Sequence, residues 1–156
     1  PTLSGISFVS PRVAYLTYQV ASGTNGGGTV GGSYVTRPIN TENDPSDFVT
    51  LAGNQFTLPA GEYRLEAVGT LFNTANYKCK IRNVTDASDS IIGIAQTSLT
   101  NESGICRVEG SFTITGSKAF EFQNRTTTTQ ASNGMGVPAG FGDSEVYTQI
   151  KITKVR

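Results

Sequence analysis

The chain has no histidine and no tryptophan, one methionine, two cysteines and no surplus of either charge: 12 Lys and Arg stand against 12 Asp and Glu in 156 residues. Each shortage excludes a class of function. Without histidine, imidazole acid–base chemistry is closed to this chain on its own. With two cysteines and no histidine, four ligands for a zinc ion cannot be assembled. Without a basic surplus, the usual electrostatic nucleic-acid binder is excluded, and so is the positive arm of a genome-packing shell protein. The longest apolar run, Ile91 to Ala95, is five residues, far short of the ~18 of a membrane span. The N-terminus lacks a charged-then-apolar signal region. Its Pro1 fits removal of an initiator Met, and fits equally a piece cut from a longer chain.

What is present is β-forming. Charged residues are only 15% of the chain, while Val, Ile and Thr together number 43 and Gly numbers 18. This composition suits strands and loops, and a helical bundle would need far more Ala, Leu, Glu and Lys. Leu, Ile, Val and Phe number 37, enough for a packed core. One domain is expected from the length, long enough to bury about two thirds of its unfolded surface.

Hydrophobicity alternates with period two along most of the chain, which is the strand signal. Arg12 to Val20 places Ala14, Leu16, Tyr18 and Val20 on one face and Val13, Tyr15 and Thr17 on the other. Glu62 to Phe72 places Tyr63, Leu65, Ala67, Gly69 and Leu71 inward. Ile105 to Thr115 does the same with Cys106, Val108, Gly110, Phe112 and Ile114. Lys118 to Arg125 places Phe120 and Phe122 inward. Ser144 to Val155 ends the chain, with Val146, Ile150 and Ile152 inward and Tyr147 outward. Shorter strands are expected at 33–37, 47–51, 54–58, 77–84 and 90–97. Between them lie the Gly-rich loop 22–32, the polar turn cluster 40–47 and the long loop 126–142. The pattern predicts eight to ten strands in a sandwich or jelly roll.

Reactive constellations do not stand out. The triple glycine Gly26 to Gly28 lacks the Lys and the helix of a phosphate loop and reads as a surface loop. The clusters Glu42, Asp44, Asp47 and Asp86, Asp89 read as turn formers, with calcium as the alternative. Cys79 and Cys106 both fall on core-facing positions, as buried thiols or as a cross-strand disulfide. Lys78, Lys80 and Arg82 alternate on one strand face, which reads as solvated or as a patch for an anionic glycan, with Glu62 and Glu66 as cross-strand partners. Tyr15, Tyr18, Tyr147 and Val155 read as a covered second face on the first and last strands, because tyrosine suits interfaces. No catalytic residue, metal or cofactor is expected.

A resemblance adds to this. The segment Asn54 to Ala67, with Phe56, Pro59, Gly61 and Tyr63, resembles the strand-turn-strand signature of TNF-like jelly rolls, shared by the globular heads of the first complement component. The Pro-to-Gly gap is one residue shorter here. More closely, FTLPAGEYR from Phe56, RNVTD from Arg82 and EVYTQIKI from Glu145 resemble a β-domain of tailed-phage virion proteins. That resemblance implies an all-β, TNF-like Greek-key jelly roll of about ten strands over residues 12–156. The chain departs from it in having no stalk: residues 1–11 read as an extended arm that would anchor through Leu3, Ile6 and Phe8. The resemblance implies a homotrimer at the virion surface, as a capsid decoration or a fibre or spike knob. It implies no catalysis, no nucleic-acid partner and no membrane insertion, with other virion proteins and a host receptor or glycan as partners. The alternative is a secreted receptor- or carbohydrate-binding module.

Overall fold

The computed structural model describes residues 10–156. The expected anchoring residues Leu3, Ile6 and Phe8 lie outside the described residues. Eleven strands, with no helix among the described residues, run in the order β1 (Arg12–Val20), β2 (Tyr34–Thr36), β3 (Thr41–Asn43), β4 (Thr50–Ala52), β5 (Gln55–Leu58), β6 (Gly61–Phe72), β7 (Asn76–Asn83), β8 (Ser88–Thr97), β9 (Ser103–Ile114), β10 (Lys118–Thr126) and β11 (Glu145–Lys154). They form two antiparallel sheets. One has the order β3-β1-β11-β6-β9 and the other β4-β5-β10-β7-β8, with β2 following β5 along the second half of β10. From β5 onward, apart from the β7–β8 hairpin within one sheet, the chain passes back and forth between the sheets, which is the jelly-roll path expected from the alternating strands.

Directly paired residues share a face, so the register reads as rows across each sheet. Leu16, Ile150, Ala67 and Val108 form one inward row of the five-stranded sheet, and Ala14, Ile152, Leu65 and Gly110 the next. Phe122, Ile81 and Ile91 answer from the six-stranded sheet. All but Gly110 of these residues are buried, each large apolar one contributing roughly 1.5–3 kcal/mol of burial. The alternation in the sequence is this inward–outward alternation.

Two expectations are corrected. The polar cluster 40–47 contains a strand, β3, whose three residues are all exposed and pair with Tyr15, Leu16 and Thr17 of β1. An edge strand with no buried residue leaves no apolar signal. Glu62 and Glu66 do not pair with the basic residues of β7, because β6 and β7 belong to different sheets. Glu62 meets Arg156 instead, at 3.4 Å.

Candidate functional site

The four residues expected on a covered second face are not together. Tyr15 points outward from the five-stranded sheet and is 49% exposed. Tyr147 points inward and is 4% exposed, whereas Val146 is 38% exposed, the reverse of the expected facing. The cause is a bulge. Tyr18 faces Thr148 and Gln19 faces Val146, so Tyr147 is the extra residue on β11 and the alternation inverts there. Its ring lies 6.5 Å from that of Tyr18 at one end of the sandwich. Its hydroxyl donates to the Thr24 carbonyl at 2.6 Å. Gly26 presses on the ring so closely that a Cβ there would stand 2.8 Å from the Tyr147 Cγ. Tyr18 and Tyr147 therefore hold loop 22–32 down and add little outward surface. Val155, half-buried, sits past the end of β11, its N–H donating to the Glu62 carbonyl at 2.8 Å.

Around Tyr15 the outer face of the five-stranded sheet is charge-balanced. One row runs Asn43, Tyr15, Lys151, Glu66, Glu109 and the next Thr41, Thr17, Gln149, Val68, Arg107. With Arg64 and Glu62, the strands of the face contribute three basic and three acidic side chains, and Arg156 beyond β11 pairs with Glu62. Tyr15, Thr17, Val68 and Gln149 border a shallow depression of about 290 Å³.

The outer face of the six-stranded sheet differs. Its rows run Tyr34, Arg125, Lys78, Ala95, then Thr36, Gln123, Lys80, Ile92, then Glu121, Arg82, Asp89. Asp89 serves both Lys80 at 2.9 Å and Arg82 at 3.0 Å, and these cations, Lys80 foremost, hold its carboxyl below the usual range. Burial works against ionised Glu121, yet donors from Thr36, Gln55 and Gln123 outweigh it and keep its carboxyl low. The Lys80 ammonium lies 3.9 Å from the centre of the Tyr34 ring. Of the acidic clusters, the carboxylates of Glu42, Asp44, Asp86 and Asp89 are likewise engaged. Asp44 accepts the N–H groups of Ser46, Phe48 and Val49, and Asp86 meets Lys118 at 2.6 Å. Among the described residues, no three His, Cys, Asp or Glu side chains converge as metal ligands.

A third feature lies in the core. Arg37 is fully buried. Its Nε donates to Thr148 Oγ1 at 3.1 Å, Nη1 to Asn124 Oδ1 at 3.1 Å and Nη2 to the Tyr147 carbonyl at 2.8 Å. The guanidinium lies 5.8 Å from the centre of the Phe122 ring. It occupies the space left by Gly69, where a Cβ would stand 2.5 Å from its Cζ. No carboxylate accompanies it among the described residues. Burial accordingly pulls its pKa down, opposed by the nearby Cys106 and Cys79. Both cysteines are buried free thiols. A hydrogen bond from Cys79, then the guanidinium, draw the Cys106 thiol down to about 7 against the effect of burial, while the same contact pushes Cys79 up. Thr148 lies on β11 in one sheet and Asn124 on β10 in the other, so the arginine layer spans the sandwich. A lone Arg before Pro38 reads in the sequence only as a strand end; its burial carries no periodic signal.

The fold and these faces define a TNF-like jelly roll of the type found in complement globular heads. Among solved structures, the chain is similar to murine APRIL at pH 8.0 (TM-score 0.56, 10% identity, 94% of this chain and 100% of that one). It is also similar to the globular domain of the zebrafish complement 1qA protein (TM-score 0.59, 10% identity, 93% of this chain and 98% of that one). No protein-family model and no curated protein matches the sequence.

Proposed function

We propose that this chain is a non-enzymatic surface protein of a tailed-phage virion, a homotrimeric capsid decoration or head-fibre or spike knob that stabilises the particle, contacts the host surface, or both. The observation that carries the assembly is the outer face around Tyr15. It joins a half-exposed ring, small polar neighbours and balanced charge, so little charge is stranded when a copy of itself covers it. Three copies about a threefold axis close without an open edge, each burying on the order of 800 Å². The virion setting rests on the motifs at Phe56, Arg82 and Glu145, with the arm 1–11 as anchor through Leu3, Ile6 and Phe8.

Hydroxyl-radical footprinting at micromolar concentration should leave Tyr15 protected relative to Phe141, which is 88% exposed on a loop. Labelling of Tyr15 as a half-exposed ring at every concentration overturns the assembly. Deleting residues 1–11 should abolish recovery of the chain with particles while leaving the melting temperature unchanged. Undiminished recovery refutes the anchor.

A further inference from the structure

We infer that the groove between Tyr34, Lys78 and Arg125 on the outer face of the six-stranded sheet binds an acidic saccharide, its carboxylate or sulfate seated between the two cations. The groove is about 620 Å³ and is built from four strands, β2, β10, β7 and β8. Three observations converge on an anion. Arg125 and Lys78 are directly paired across β10 and β7, and like charges in that relation repel. Neither is in an ion pair among the described residues. The two carboxylates of the face are engaged elsewhere: Asp89 is shared by Lys80 and Arg82, and Glu121 accepts from Thr36, Gln55 and Gln123.

Tyr34 positions one of the two cations, since its ring centre lies 6.0 Å from the Arg125 guanidinium, with the Asp89-paired Lys80 ammonium 3.9 Å away. The chain as a whole is neutral, so this concentration of positive charge is local. The rest of the lining selects among anions. Gln96, Asn76, Thr97 and Thr127 border the cations with amides and hydroxyls, which match the hydroxyls of a sugar and are superfluous for a bare oxyanion. Ala95 ends the Tyr34–Arg125–Lys78 row with a methyl group, leaving the groove open on that side. The groove faces away from Tyr15, on the other sheet, so it stays accessible whether or not the trimer forms, and its test is separate from that of the assembly.

The test is calorimetric titration of the whole protein with a uronate-containing tetrasaccharide, with its carboxyl-reduced neutral counterpart and with inorganic phosphate. The uronate compound should bind at low and at moderate salt, more weakly at the higher. Each of Lys78→Ala and Arg125→Ala should weaken it about tenfold without lowering the melting temperature, whereas Lys118→Ala, at the far end of β10 from the groove, should leave it unchanged. Binding of the neutral sugar as tightly as the uronate overturns the anionic seat. Binding of phosphate as tightly as the tetrasaccharide overturns the saccharide. No uronate binding, or equal loss in Lys118→Ala, overturns the site.

Discussion

The two ends of the core are built on different physics. At one end Phe56, Phe112 and Phe120 stack in a chain, with centroids 5.7 and 5.0 Å apart, and Tyr63 and Phe48 continue it. At the other end Arg37 reaches across the sandwich to Thr148, Asn124 and the Tyr147 carbonyl. The aromatic end gains from burial and ring contact and asks only for volume. The arginine end gains little from burying a charge. Each of its acceptors costs free energy if the guanidinium is lost. The first end supplies stability. The second fixes where β11, its bulge and the loops over Tyr147 sit.

The largest expected effect belongs to the aromatic end. Phe120→Ala removes a fully buried ring from the centre of the stack and should cost about 3–5 kcal/mol in urea unfolding. Arg37→Met should cost less, about 2–4 kcal/mol, and should also disturb amide NMR signals around Tyr147. A loss under 1 kcal/mol with unshifted signals would erase the contrast between the ends. Tyr147→Phe keeps the ring and removes only the bond to Thr24, for about 1 kcal/mol, seen as faster hydrogen exchange in loop 22–32.

The smallest effect is a pH dependence at the same end. Glu145 accepts N–H bonds from Gly140, Ala139 and Gly23 at 2.8, 3.1 and 3.2 Å, which hold its carboxyl below the usual range. The ionised form is thus favoured by the fold. Its contribution is complete above the unfolded glutamate value of about 4.3 and fades as pH falls through the lower folded value. The melting-temperature gap between wild type and Glu145→Gln should therefore be widest near neutrality and close on acidification. A gap constant with pH refutes the assignment.

The aromatic end was the legible one. Tyr63, Leu65 and Ala67, or Phe120 and Phe122, alternate cleanly because each row of the sheet buries every second residue. The arginine end broke the same rule. The slip between Tyr18 and Gln19 inverts Val146 and Tyr147, and a bulge leaves no mark in a period-two pattern. Arg37 was invisible because nothing local distinguishes a buried arginine from an exposed one. Of the outer faces, the alternation of Lys78, Lys80 and Arg82 was readable along β7, but their partners Tyr34, Arg125 and Asp89 come from β2, β10 and β8, and strand order is set by long-range packing. Cys79 and Cys106 are buried free thiols, one of the two alternatives that spacing left open.

The contrast between the ends leaves both outer faces free for partners, and the central claim is that the face around Tyr15 is covered by copies of the chain. Sedimentation equilibrium of the wild-type protein through the micromolar range tests this most directly. The account predicts a single species of about three times the 16.5 kDa chain mass. A species of one chain mass throughout that range contradicts it.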